Sequence, residues 1–283
     1  MGGFKKWFMM IRPFTLPASL SPVLVGLYAA SLFGPIDVLS AVITALCAMS
    51  LQVLSNLVND YWDYKRGSDG EDRLGPLRAV SAGTSSAKAL KNSIYIVAAL
   101  CVVLGGYLIY IGGLPIVLIG VSAMFFAWLY SATSHSLSHL GISDLFTITY
   151  YGFLASLGTT FIQTGCWPAV SFWLGLACGA TATAILTTNN IRDIEQDKRA
   201  GKKTIIVRLG TTFGKVYYLA CIALSPLVLF FALENIVAGI VISILCILLY
   251  IKFLNASGRA YNKILMLTGL YNLAFALTVI FIR

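Results

Sequence analysis

The sequence predicts an all-α polytopic membrane protein with nine transmembrane helices. Three observations predict it. Of 283 residues, 58% are hydrophobic and only 11% charged, less than half the roughly 25% charge of a soluble domain. Mean hydropathy is +0.85. The apolar residues come in long runs with almost no alternation, which favours helices over a barrel. An ordinary soluble enzyme, a disordered protein and a nucleic-acid binder are excluded. The net charge of +9 is not a nucleic-acid signature here, because the basic residues fall between apolar runs.

About 20 apolar residues cross a bilayer, and nine segments qualify. They cover 14–34, 37–58, 92–112, 114–132, 143–164, 168–190, 213–233, 235–254 and 264–282. Lys5, Lys6 and Arg12 resemble the start of a signal peptide, but no soluble domain follows; they flank the first span. Pro17 and Pro22 predict a kink or break in that span. Of the 20 Lys and Arg residues, 19 fall on one side of a nine-span arrangement; only Arg283 does not. That side is expected to be cytoplasmic, with the N-terminus and the acidic loops, and the C-terminus outside. The six cysteines lie in or beside apolar runs without C-x-x-C spacing and read as small hydrophobic side chains. The chain reads as a single domain over 1–283.

Eight of the eleven acidic residues occupy two loops: Asp60, Asp63, Asp69, Glu71 and Asp72, then Asp193, Glu195 and Asp197. A solvated loop of mixed charge is the plain explanation, yet the third inner loop, 133–142, has no such cluster. The motifs at about 56–69 and 189–197 also form a weak repeat. Asn59-Asp60-x-x-Asp63 and Asn189-Asn190-x-x-Asp193 lie 130 residues apart, which suggests two helix ends facing each other. At 100° per residue, Gln52, Asn56, Asn59, Asp60 and Asp63 share about 100° of arc. Asn189, Asn190, Asp193 and Asp197 share a similar arc on the sixth helix. Each polar stripe starts among apolar residues and ends in carboxylates, which are costly near lipid and mark a functional site.

Four facing carboxylates need a cation between them. Oxygen donors without Cys or His suit Mg²⁺, which takes one or two carboxylates and completes its shell with substrate phosphates. Lys65, Arg66, Arg73, Arg78, Lys198 and Lys203 are placed to hold phosphate oxygens. The expected ligand is a lipid diphosphate, its head at the membrane surface and its tail in the bilayer. Phe125, Phe126, Trp128 and Tyr130 are either membrane-interface anchors or cavity aromatics for an isoprenoid tail. Tyr150, Tyr151, Asn272 and Gln52 either line a cavity or make interhelical hydrogen bonds. His135 and His139 lack a third ligand nearby and read as loop residues. No P-loop, H-E-x-x-H or G-x-G motif is present.

The run Asn56-Leu57-Val58-Asn59-Asp60-Tyr61-Trp62-Asp63-Tyr64-Lys65-Arg66-Gly67, with Asp193-x-x-x-Asp197, resembles the paired aspartate motifs of the UbiA superfamily of membrane prenyltransferases. Arg12-Pro13-Phe14-Thr15-Leu16-Pro17-Ala18, Arg73-Leu74-Gly75-Pro76-Leu77-Arg78-Ala79-Val80 and Gly201-Lys202-Lys203-Thr204 are similar to the branch acting on 1,4-dihydroxy-2-naphthoate. The resemblance runs to about residue 214. It implies nine helices around a central cavity and Mg²⁺ held by Asp60, Asp63, Asp193 and Asp197. It also implies polyprenyl transfer from an isoprenyl diphosphate to the naphthoate, releasing diphosphate and CO₂, in a bacterial inner membrane. Substrate-binding candidates are Asn56, Asn59, Lys65, Arg73, Arg78, Asn190, Lys198, Lys203, Tyr130 and Gln52. The superfamily pattern has a further Asp where Gly67 stands; Asp69 follows two residues later and is the candidate base for the acceptor phenol. The expected partners are the polyprenyl diphosphate, the aromatic acceptor and the bilayer, with no nucleic acid and no obligatory protein partner. Another acceptor such as 4-hydroxybenzoate, or a transporter, are the competing readings.

Overall fold

The computed structural model describes residues 10–66, 74–75, 78, 80, 83, 85–129 and 140–281. All regular elements among the described residues are helices. They are α1 (Leu16–Ser31), α2 (Val38–Lys65), α3 (Ala87–Leu129), α4 (Ser143–Ile148), α5 (Leu154–Thr164), α6 (Ala169–Arg192), α7 (Ile194–Arg199), α8 (Ile205–Phe231), α9 (Ile236–Leu254) and α10 (Tyr261–Phe281). A 3₁₀ turn, Pro13–Thr15, precedes α1, and a π-helical turn, Thr149–Phe153, joins α4 to α5. The protein is a multi-pass membrane protein.

Starts and stops follow local chemistry. Asp37 caps α2 by accepting from the Ser40 amide at 2.9 Å, and Asn235 caps α9 through the Ala238 amide at 2.9 Å. Gly165, at φ 71°, ends α5 in the left-handed conformation. The expected kink in the first span is absent as a break: α1 runs through Pro22, and the Ser19 and Ser21 hydroxyls bond back to the Leu16 and Pro17 carbonyls. α2 runs seven residues beyond the expected end at 58, so Asp60 and Asp63 sit on helix rather than loop.

Eight helices are long and apolar enough to cross a membrane among the described residues, where the hydrophobic runs predict nine spans. The difference lies in α3. Its 43 residues correspond to about 65 Å at 1.5 Å per residue, about twice the hydrocarbon thickness. The helix is interrupted at Gly113, at φ 58° and ψ −148°, which is glycine territory. The expected spans 92–112 and 114–132 lie either side of that interruption.

α6 is the most enclosed span. Small residues, among them Gly175, Ala177, Gly179, Ala180 and Ala184, let neighbours approach closely. Thr181, Thr183, Thr187 and Thr188 are fully buried, and each satisfies its hydroxyl on the carbonyl four residues back, at 2.9–3.0 Å. The π-helical turn lies against this face: a Cβ on Gly179 would stand 2.6 Å from the Ile148 carbonyl oxygen. One hydrophobic core joins α1, α6, α8, α9 and α10, with Tyr218 stacked on Phe253 at 3.8 Å between centroids. A second lies between α2 and α3 around Leu54, Leu57 and Leu90.

The Gly179 contact makes a prediction. Gly179→Ala should lower thermal stability in detergent by about 1–3 kcal/mol, because the neighbour is backbone that cannot step aside. Gly106→Ala, with nothing within 4 Å, should leave melting unchanged; equal melting of both variants would refute the close crossing.

Candidate active site

The stripe on α2 is built as its helical spacing requires. Gln52, Asn56, Asp60 and Asp63 are all buried. Gln52 Nε2 donates to Asn56 Oδ1 at 3.1 Å. Asn56 Nδ2 donates to Thr15 Oγ1 at 2.9 Å and to the Ile11 carbonyl at 3.3 Å, binding the Arg12–Thr15 segment to α2. Arg12 there adopts left-handed backbone, φ 52° and ψ 65°, unfavourable for a residue with a Cβ. Its guanidinium pairs with the Asp60 carboxylate.

Arg78, from the chain that follows α2, bridges both carboxylates of the first motif. Its Nε lies 3.1 Å from Asp60 Oδ1, and its Nη2 lies 2.5 Å from Asp63 Oδ2. Nη2 also reaches Asn59 Oδ1 at 3.4 Å. Arg66 Nη2 contacts Asp63 Oδ1 at 3.1 Å.

The second motif forms the end of α6 and the short α7. Arg192 holds Asp193 in a two-pronged pair, Nε to Oδ1 at 2.8 Å and Nη2 to Oδ2 at 2.6 Å. Asp197 is buried and receives Lys202 Nζ at 2.8 Å. Burial pushes the Asp197 carboxyl above the usual carboxylate range; Lys202 opposes this, while the charges of Asp193 and Asp63 add to it. Asn59 of the first motif and Asn189 of the second line one cavity, so the two motifs adjoin the same space.

Beside them is a cavity of about 350 Å³, lined by neighbours of the four aspartates and not by the aspartates themselves. Its polar end is lined by Arg12, Asn56, Asn59 and Asn189, and its far end by apolar side chains such as Leu108, Ile116 and Ile162. An aromatic group also lines it: Phe126 lies 4.3 Å from Phe146 and 5.3 Å from Tyr150, centroid to centroid. Tyr151 and Gln52 also line the cavity. Phe125 and Trp128 instead point outward, 60% and 57% exposed, as membrane-facing side chains do. Asn272 bonds to the Cys178 carbonyl at 3.3 Å and is not part of the lining.

Other expected residues stand elsewhere. Lys65 is exposed and sits over the Tyr61 and Trp62 rings at 5.4 and 5.3 Å. Lys198 pairs with Glu195 on the surface, and Lys203 is exposed; Lys202 is the lysine on Asp197. Asn190 is buried. Asp69, Arg73, Tyr130, His135 and His139 lie outside the described residues. Four participants were not among the expected binding residues: Arg12, Arg192, Lys202 and Asn262. Arg192 and Lys202 lie within five residues of Asp193 and Asp197, so a search for basic residues beside each motif would have found them; Arg12 lies 48 residues from Asp60. Asn262 stands alone in its segment and gives no such signal.

The donors fit a divalent cation as the substrate's partner better than as a resident ion. Among the described residues no three carboxylate, His or Cys side chains gather as a metal cage. Each tip instead presents paired carboxylates, with guanidinium and ammonium groups on them. Magnesium, which takes one or two carboxylates with phosphates, suits that arrangement.

The model of the UbiA prenyltransferase family matches residues 19–276. Proteins named 1,4-dihydroxy-2-naphthoate octaprenyltransferase are among the relatives. That of Haemophilus influenzae is 35% identical, covering 78% of this chain and 74% of its own. That of Mycobacterium tuberculosis is 30% identical, covering 99% and 97%. A solved UbiA homolog from Archaeoglobus fulgidus, bound to DMAPP and Mg²⁺, superposes with a TM-score of 0.64 at 17% identity, over 98% of this chain and 100% of that one.

Arg78 makes the site's electrostatics testable. Arg78→Met removes the bridge between Asp60 and Asp63 and should cost about 1–3 kcal/mol of stability without divalent cation. Millimolar Mg²⁺ should recover more melting temperature in this variant than in the unaltered protein. Identical Mg²⁺ responses would show that Arg78 does not stand where a cation would.

Proposed function

The chain belongs to the UbiA prenyltransferase family and is a prenyltransferase, and from that premise we propose that it transfers a polyprenyl chain from an isoprenyl diphosphate to 1,4-dihydroxy-2-naphthoate. The product would be the demethylmenaquinone skeleton, with diphosphate and CO₂ released. The observation that carries this reading is the pair of carboxylate tips, each neutralised by Arg or Lys, whose neighbours Asn59 and Asn189 line a largely apolar cavity with aromatic rings. The names of the relatives support the naphthoate acceptor. Family membership sets the transporter reading aside.

Asp60 and Asp63 on one side, and Asp193 and Asp197 on the other, would hold Mg²⁺. When bound, the ion would neutralise charge building on the departing diphosphate. Arg12, Arg66, Arg78 and Lys202, on the carboxylates without substrate, are in reach to turn to diphosphate oxygens as the carboxylates take up metal. Allylic C–O bond breaking leaves the electron pair on the diphosphate and positive charge on the prenyl carbon. Phe126, Phe146 and Tyr150 offer π-faces to that charge and exclude the water that would capture it. The electron-rich acceptor ring attacks this carbon, and loss of the ring carboxylate as CO₂ restores aromaticity. Asp69 is the proposed base for the acceptor phenol. Asn56, Asn59, Asn190 and Gln52 are proposed to orient the head group at the cavity's polar end. The distribution of Lys and Arg supports a cytoplasmic N-terminus and cytoplasmic aspartate motifs in a bacterial inner membrane.

Two outcomes are expected. Asp60→Ala or Asp193→Ala should lower Mg²⁺-dependent transfer by at least about 10²-fold, the scale of losing a main charge-stabilising group, while the protein still inserts; near-normal turnover would refute the assignment. Membranes given farnesyl diphosphate should prenylate 1,4-dihydroxy-2-naphthoate and not 4-hydroxybenzoate, as read by chromatography of the products. The reverse preference would overturn the acceptor.

A further inference from the structure

The two aspartate motifs belong to separate halves of the chain, yet one side chain outside both motifs contacts a residue near each. Asn262, in the first turn of α10, accepts from Arg192 Nη1 through Oδ1 at 2.6 Å. Its Nδ2 donates to the Leu74 carbonyl at 2.9 Å. The amide orientation is dictated by its partners, since a guanidinium only donates and a carbonyl only accepts. Arg192 is the residue that grips Asp193 with two nitrogens. Leu74 lies four residues before Arg78, the buried bridge between Asp60 and Asp63. One amide thus contacts the guanidinium behind one motif and the Leu74 carbonyl, four residues before the cation of the other.

We infer that Asn262 is a positioning residue for the diphosphate head, setting the distance and orientation between Asp193 on one tip and Arg78 on the other. It touches no substrate; it acts through Arg192 and through the chain at Leu74. The role needs a short side chain carrying donor and acceptor on one planar group, which Asn supplies. Asp keeps the acceptor and loses the donor. Leu, of similar size, loses both and leaves Arg192 Nη1, on a buried residue, without this oxygen. The inference rests on the metal–diphosphate reading of the four aspartates.

The test uses the full chain purified in detergent, as unaltered protein, Asn262→Leu, Asn262→Asp and Asp193→Ala. The probe is geranylgeranyl thiolodiphosphate, which resists transfer, titrated with Mg²⁺ by calorimetry. Asn262→Leu should bind it about tenfold more weakly and Asn262→Asp about threefold more weakly, the scale of losing two and one hydrogen bonds. In turnover assays the KM for prenyl diphosphate and the Mg²⁺ concentration at half-activity should rise. The KM for the aromatic acceptor should hold. If Asn262→Leu does not fold, Asn262→Asp decides alone. Unaltered probe affinity in the Asn262 variants, with Asp193→Ala still losing the probe, overturns the positioning role and leaves the reading of the aspartates intact. A fall in melting temperature with both KM values unchanged also overturns it, as that is a purely structural effect. Unaltered affinity in Asp193→Ala would overturn the reading itself, and this inference with it.

Discussion

Two carboxylate pairs, Asp60 with Asp63 and Asp193 with Asp197, stand at helix ends, and the repulsion within each pair is the constraint around which the rest is arranged. Like charges held close in a partly desolvated place must be neutralised. The protein does so with its own cations: Arg12, Arg66 and Arg78 on the first motif, Arg192 and Lys202 on the second. These groups are also suited to diphosphate oxygens. Under the proposed function, the same residues would stabilise the substrate-free site and be available when a metal-bound diphosphate brings both a new cation and new anions. Binding would then be an exchange of partners rather than the burial of naked charge.

The fold serves that arrangement through close packing rather than through hydrophobic segregation alone. α6 must present Asn189, Asn190 and Asp193 at its end while being enclosed on nearly every side. Its Gly and Ala residues allow the approach, and its threonines satisfy themselves on their own backbone, so the helix is polar by composition without exposing unmet groups. The π-helical turn against Gly179 belongs to the same contact. It also begins where Tyr150 and Tyr151 enter the cavity, so backbone irregularity and site lining coincide, as such bulges often do.

The cavity combines three kinds of lining: the guanidinium and amides of Arg12, Gln52, Asn56, Asn59 and Asn189, the rings of Phe126, Phe146, Tyr150 and Tyr151, and aliphatic side chains. Under the proposed function, a molecule with a charged head, a reactive allylic carbon and a hydrocarbon tail would find a match for each part. Dryness for the reaction and an apolar site for the tail would then be met by one surface.

The all-helical membrane class, the approximate spans and the two aspartate motifs were legible in the sequence, because hydrophobic runs and helical periodicity are local properties. So was the sharing of one face by Gln52, Asn56, Asp60 and Asp63, since 3.6 residues per turn places them there wherever the helix sits. Which cation meets which carboxylate was not legible. Lys65 and Lys198 are as near in sequence to the motifs as Arg78 and Lys202, yet the first covers aromatic rings and the second pairs with Glu195. Nor could the sequence separate Phe126, in the cavity, from Phe125, facing outward, without knowing how that helix is turned. Arg12 reaches Asp60 from 48 residues away, and Asn262 meets Leu74 across 188. Such contacts depend on how helices pack, a non-local outcome that only the tertiary structure decides.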